Sequence, residues 1–158
     1  IMMKINVVCI GSIKEKYFND AIAEYLKRLS KFYQMEIIEL KEEKMPKNYS
    51  QTDIENVKTK ESLAMKKVLK GYVIALDERG EELNSVKMSE KLSKIMLSNS
   101  TISFVIGGSW GLSEDIKKKA NMLLSFSKFT FPDQLMRVVL LEQLYRQTTI
   151  LNNIPYAK

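Results

Sequence analysis

The feature that most constrains this chain is an alternation. Short apolar, β-branched runs give way to stretches whose apolar residues recur at helical spacing. Lys4 to Ile10 is the first such run, and Phe18, Ile22, Leu26 and Leu29 then mark a helix. Met35 to Leu40 reads as a second strand, Lys41 to Asp53 as a polar loop, and Ile54, Val57, Met65, Val68 and Leu69 as a second helix with a lysine-rich polar face. Tyr72 to Leu76 is a third strand, Asp77 to Glu82 a turn, and Val86, Met88, Leu92 and Ile95 a third helix.

Thr101 to Ile106 is nearly continuous in apolar residues, as expected of a strand covered on both faces of a parallel sheet. Gly107-Gly108 ends it. Ser113 reads as an N-cap, with Glu114 and Asp115 placed in the first turn of a helix running to about Met122. Leu123 to Phe126 is a short fifth strand, and an apolar helix spans about Gln134 to Leu151. This order predicts an α/β layer fold with a mainly parallel, doubly wound sheet in a single domain over residues 1–158. The apolar breadth of the last helix predicts cover from a second subunit, hence a homodimer.

At 158 residues and 45% hydrophobic, the chain has material for one core. No apolar run approaches the roughly 20 residues needed to cross a bilayer, and the start lacks a signal peptide, so a soluble cytoplasmic protein without membrane contact is expected. Ile1 before Met2 reads as a cloning remnant or numbering artefact. Cys9, the only cysteine, lies in the apolar run Val7-Val8-Cys9-Ile10 and reads as a small buried hydrophobe. With no histidine and one cysteine, the usual zinc sets cannot be assembled, and no metal is expected. The net charge of +6 is compatible with a polyanionic partner such as RNA, although on charge alone a merely basic protein is the favoured reading.

In open α/β sheets ligands bind beyond the carboxyl ends of the strands, where glycine lets the backbone approach closely. Ile106-Gly107-Gly108-Ser109 lies at such an end. The run Leu124-Ser125-Phe126-Ser127-Lys128-Phe129-Thr130-Phe131-Pro132 alternates hydroxyl and apolar groups, which suits a small-ligand pocket, though taken alone it reads as an edge strand stopped by Pro132.

The residues Phe104-Val105-Ile106-Gly107-Gly108, Gly111-Leu112, Leu124 to Lys128, Thr130-Phe131-Pro132, Arg137-Val138, Leu141-Glu142-Gln143, Tyr145-Arg146 and Pro155-Tyr156 stand in an order that closely resembles one family. It is that of the ribosomal large-subunit pseudouridine N3-methyltransferases, minimal members of the knotted SPOUT class. The resemblance runs from Met3 to Lys158 and includes Lys14-Glu15-Lys16-Tyr17 and Glu24-Tyr25. It implies a C-terminal trefoil knot, a rare exception to the absence of knots. It also implies S-adenosylmethionine as cofactor, a homodimer, and large-subunit ribosomal RNA in the assembled ribosome as substrate. Cofactor contacts would fall on Leu76, Gly107, Gly108, Phe126, Ser127, Lys128, Phe129, Thr130 and Phe131. Arg146 and Tyr156 would serve catalysis, Arg146 by stabilising a deprotonated ring, and Arg137 would lie towards substrate.

The chain departs from the family pattern at Asp133 and Ala157, where the family has histidines, at Gln147, where it has alanine, and at Trp110 in a variable slot. One reading is drift, with Asp133 as the N-cap of the last helix. Another is an engineered pocket in which Trp110 stacks a flat aromatic substrate, Gln147 orients it and Asp133 is the general base for proton abstraction from a benzisoxazole-type carbon acid. A third is an RNA-binding domain without catalysis.

Overall fold

The computed structural model describes residues 2–158, so the reading of Ile1 lies outside the described residues. Five strands, β1 (Met3–Ile10), β2 (Tyr33–Leu40), β3 (Tyr72–Glu82), β4 (Thr101–Val105) and β5 (Met122–Ser125), form one parallel sheet in the order β2-β1-β4-β3-β5. Five helices alternate with them: α1 (Lys16–Leu29), α2 (Gln51–Val68), α3 (Ser85–Ser98), α4 (Glu114–Lys119) and α5 (Asp133–Leu151). The α/β, doubly wound reading therefore holds.

Two apolar clusters show why. Ile22 and Leu29 of α1, Leu92 and Ile95 of α3 and Leu140, Leu141 and Leu144 of α5 pack on one face of the sheet, with Ile5, Val7 and Phe104. Met65 of α2 and Ile116 of α4 cover the other, on Val8, Val73 and Val105. Central strands buried on both faces have no polar side to alternate with, which is why they read as continuous apolar runs. Cys9 is fully buried, and burial pushes its thiol up to about 11, so it is packing material. No described helix is long and apolar enough to cross a membrane.

The differences from the expected elements have local causes. The loop from Lys41 ends earlier than expected, because Ser50 and Asp53 form a reciprocal capping box that starts α2 at Gln51. Ser113 caps α4 as expected by accepting from the Ile116 amide, but the helix stops at Lys119 and Met122 belongs to β5. Pro132, not Asp133, is the N-cap of α5, and Asp133 is its first helical residue. No α5 residue is largely exposed, because α1 and α3 already flank the helix within one chain.

The segment Asp77–Glu82 is more than a turn. Leu76 and Glu81 both lie opposite Leu124, so four residues of β3 bulge out between them before pairing resumes at Glu82 and Ser125. An Asx turn, Asp77 accepting from the Arg79 amide at 3.2 Å, shapes this bulge. Its return passes so close to β5 that a Cβ on Gly80 would meet the Leu123 carbonyl carbon at 2.7 Å. Glycine is required there.

Candidate functional site

Beyond the carboxyl ends of β3, β4 and β5 lies a cavity of about 870 Å³, within the range of small-molecule sites. Leu76 closes one side, Gly107, Gly108 and Trp110 another, and the segment after β5 a third. The structure brings Phe126, Ser127, Phe129, Thr130 and Phe131 to this cavity as the sequence suggested. Lys128 faces instead a neighbouring hollow of about 510 Å³, shared with Phe126, Ser127 and Phe129.

The loop after β5 is irregular, not an edge strand, and it is tied to the β3 bulge. Thr130 Oγ1 donates to the Glu78 carboxylate at 3.0 Å, and Ser125 Oγ lies 3.1 Å from the carbonyls of both Glu78 and Ser127. Ser127 Oγ accepts from the Phe129 amide at 2.9 Å. The alternating hydroxyls thus hold the backbone in place. Across the cavity, Gly107 is packed so tightly that a Cβ would stand 2.8 Å from the Gly111 carbonyl carbon. The Gly111 amide donates to the Gly108 carbonyl at 3.0 Å, making a tight turn with Ser109 and Trp110 at its tip.

The charge of the wall is informative. Asp77, Glu78, Glu114 and Asp133 outnumber Lys58, Arg79 and Lys117, in a chain with a net charge of +6. Lys117 is committed to Asp77 at 3.4 Å and Glu114 at 3.6 Å. By one charge such a wall leans towards a ligand carrying positive charge. Behind Gly108 lies Glu61, only 5% exposed, whose Oε1 would be 3.2 Å from a Cβ on that glycine. Burial pushes the Glu61 carboxyl above the ordinary carboxylate range, and Glu42, Glu43 and Asp133 add to the rise.

Arg137 does not enter the cavity. It is 1% exposed, with Nη1 donating to Glu39 Oε2 at 2.7 Å and Nη2 donating to the carbonyls of Ile10 (2.7 Å) and Gly11 (2.8 Å). It clamps the ends of β1 and β2 to α5. Gln147 is buried in α5 and is not among the cavity-lining residues, which removes the orienting group from the engineered-pocket reading. Trp110 is there, packed edge-to-face on Tyr49 at 5.1 Å, and Asp133 lines the cavity.

Arg146 and Tyr156 form a separate cluster. Arg146 donates to both oxygens of Glu142, most closely at 2.7 Å, and Tyr156 Oη donates to Glu142 Oε2 at 2.8 Å. The Arg146 guanidinium lies 5.1 Å from the Tyr156 ring centroid, and Tyr145 meets Tyr156 edge-on at 4.7 Å. Arg28 covers both Tyr25 and Tyr145 at 5.4 Å. The bond to Glu142 holds Arg146 above its ordinary value, so it stays charged. Burial and the Glu142 acceptor push the Tyr156 phenol up, so it stays a proton donor. Arg146 is ten residues beyond Met136, the cavity's last lining residue on α5, which at about 1.5 Å per residue is roughly 15 Å along the helix. One chain does not bring the two parts together.

Sequence reasoning passed over Lys58, Asp77, Glu78, Arg79, Lys117 and Met136 in the cavity wall. It also passed over Glu142 as the hub of the second cluster, although its spacing of four from Arg146 signals an ion pair on one helix face.

The family model described as "Predicted SPOUT methyltransferase" matches residues 3–157. The ribosomal RNA large subunit methyltransferase H of Alkaliphilus oremlandii is 45% identical over 99% of this chain and its own whole length. The ribosomal RNA large subunit methyltransferase H 1 of Clostridium perfringens is 47% identical over the same shares. Among solved structures, the tRNA (m1G37) methyltransferase of Aquifex aeolicus superposes with a TM-score of 0.52 at 16% identity, over 90% of this chain and 69% of that one. At that identity the likeness speaks for the fold alone.

Proposed function

This chain belongs to the SPOUT methyltransferase family, and from that premise we propose that it methylates N3 of a pseudouridine in large-subunit ribosomal RNA, using S-adenosylmethionine. The observation that carries the reading is the glycine-lined, acid-leaning cavity beyond β3, β4 and β5. Leu76, Gly107, Gly108 and the loop Phe126 to Phe131 would hold the cofactor, which supplies an electrophilic methyl group when bound. The wall fits: it leans by one charge towards a positive ligand, and Gly107, where the Gly111-Leu112 backbone leaves no room for a side chain, keeps the turn beside the cavity tight. A trefoil knot, which the family resemblance implies, would keep this loop rigid where the β3 bulge packs on β5 with Gly80 against Leu123.

Methyl transfer also needs a nucleophile aligned in place and a route for its proton. Arg146, fixed by two bonds to Glu142, is suited to stabilise the negative charge that N3 deprotonation leaves on the ring. Tyr156 is positioned beside it, its hydroxyl donating to the same Glu142 carboxylate. Because this cluster lies roughly 15 Å beyond the cavity along α5, we propose that the active form is a homodimer in which one copy supplies the cavity and the other supplies Arg146 and Tyr156. The alternatives of an engineered carbon-acid lyase and of a non-catalytic RNA-binding domain have no observation in their favour.

Calorimetry tests the cofactor half. S-adenosylmethionine is expected to bind the wild-type protein at about one site per chain. Gly107→Ala is expected to weaken binding about 10- to 100-fold, since overpacking at such a contact costs roughly 1–3 kcal/mol. Absence of binding to the wild-type protein, or unchanged affinity in Gly107→Ala, would overturn this assignment.

A further inference from the structure

The Tyr49–Trp110 pair is not among the residues proposed above to hold the cofactor or serve catalysis, and it has the features of a contact for nucleic acid. Trp110 stands at the tip of the turn closed by the Gly111-to-Gly108 hydrogen bond, on the rim of the cavity. Tyr49 comes from the segment between β2 and α2, is half exposed, and meets the indole at 5.1 Å with 67° between the planes. That edge-to-face geometry leaves at least one face of the indole uncovered by Tyr49, and Trp110, partly exposed, lines the cavity. The backbone of its turn is closed by the Gly111-to-Gly108 hydrogen bond and the indole is held by Tyr49, which lowers the ordering needed for a flat ring to settle on it.

Lys44 and Lys47 are exposed on the same segment as Tyr49, together with Glu42, and Lys58 of α2 lines the cavity. An aromatic pair with lysines beside it is an arrangement that holds a single strand: bases stack on rings and ammonium groups follow the backbone. We propose that Tyr49 and Trp110 form a stacking platform for an unpaired RNA base next to the methylated nucleotide, with Lys47 and Lys58 facing its phosphates. This rests on the methyltransferase reading for what brings RNA to the rim, but the platform is testable without it.

Trp110 is the only tryptophan, so its fluorescence reports the site directly. Ten-nucleotide oligouridine at low salt is expected to quench it, and anisotropy of labelled oligouridine gives the affinity of each variant. Tyr49→Ala and Trp110→Ala are expected to weaken RNA binding about 5- to 100-fold, the span expected for losing one stacked base. Trp110→Phe, which keeps a stacking face, should retain most of the affinity and guards against misfolding of the alanine variant. Cofactor affinity by calorimetry should stay within about twofold in Tyr49→Ala, which lines no part of the cavity.

Unchanged RNA affinity in both alanine variants, or no quenching in the wild-type protein, would overturn the platform. So would a loss of S-adenosylmethionine binding in Trp110→Phe with RNA binding intact, which would make the indole a cofactor wall. If the platform binds RNA as described while the wild-type protein fails to bind S-adenosylmethionine, the methyltransferase reading fails and the platform stands.

Discussion

Arg146→Ala is expected to slow methyl transfer about 100- to 1,000-fold, the cost typical of removing a group that stabilises developing negative charge, while S-adenosylmethionine affinity stays as in the wild-type protein. The separation follows from the geometry. Arg146 is held by Glu142 and Tyr156 in its own cluster, away from the cavity of the same chain. A composite site makes a further demand. When Arg146→Ala and Gly107→Ala proteins are mixed and allowed to exchange subunits, mixed dimers carry one intact site, built from the cavity of one chain and the arginine of the other. Random pairing in a two-fold dimer predicts recovery to roughly a quarter of wild-type activity. No recovery after verified exchange would place both halves of the site in one chain.

Arg137→Leu is expected to destabilise the fold by about 3–5 kcal/mol, the usual cost of breaking a buried charged network. For a chain of this size that corresponds to a drop in melting temperature of about 10 °C. The loss comes less from Glu39, whose side chain is 43% exposed and can be solvated, than from the carbonyls of Ile10 and Gly11, which lose the guanidinium that satisfies them. Arg137→Lys should recover only part, because a single ammonium cannot span Glu39 and both carbonyls. A melting temperature within about 2 °C of wild type for Arg137→Leu would contradict the clamp.

Much of this molecule can be read from its sequence because the fold rests on local patterns. Continuous apolar runs such as Thr101 to Val105 announce strands covered on both faces, and Ser113 with its acidic followers announces a helix start. Ser50 and Asp53 carried an equally local signal, the capping-box spacing, which the expected loop overlooked. The bulge in β3 is different. Asp77 to Gly80 has the composition of a turn, and only its pairing with β5, more than 40 residues on, makes it a cavity wall. Arg137 is a similar case: its partner Glu39 is 98 positions away, so an arginine read as facing substrate is a structural clamp. The Tyr49–Trp110 contact joins segments 61 residues apart and leaves no trace in spacing.

The most direct measurement is transfer of a labelled methyl group from S-adenosylmethionine to ribosomes isolated from cells lacking this modification, followed by mass spectrometry of the nucleosides. The predicted result is label in large-subunit ribosomal RNA, on pseudouridine, at N3. Unlabelled ribosomal RNA in the presence of bound cofactor, or label on any other nucleoside, would contradict it.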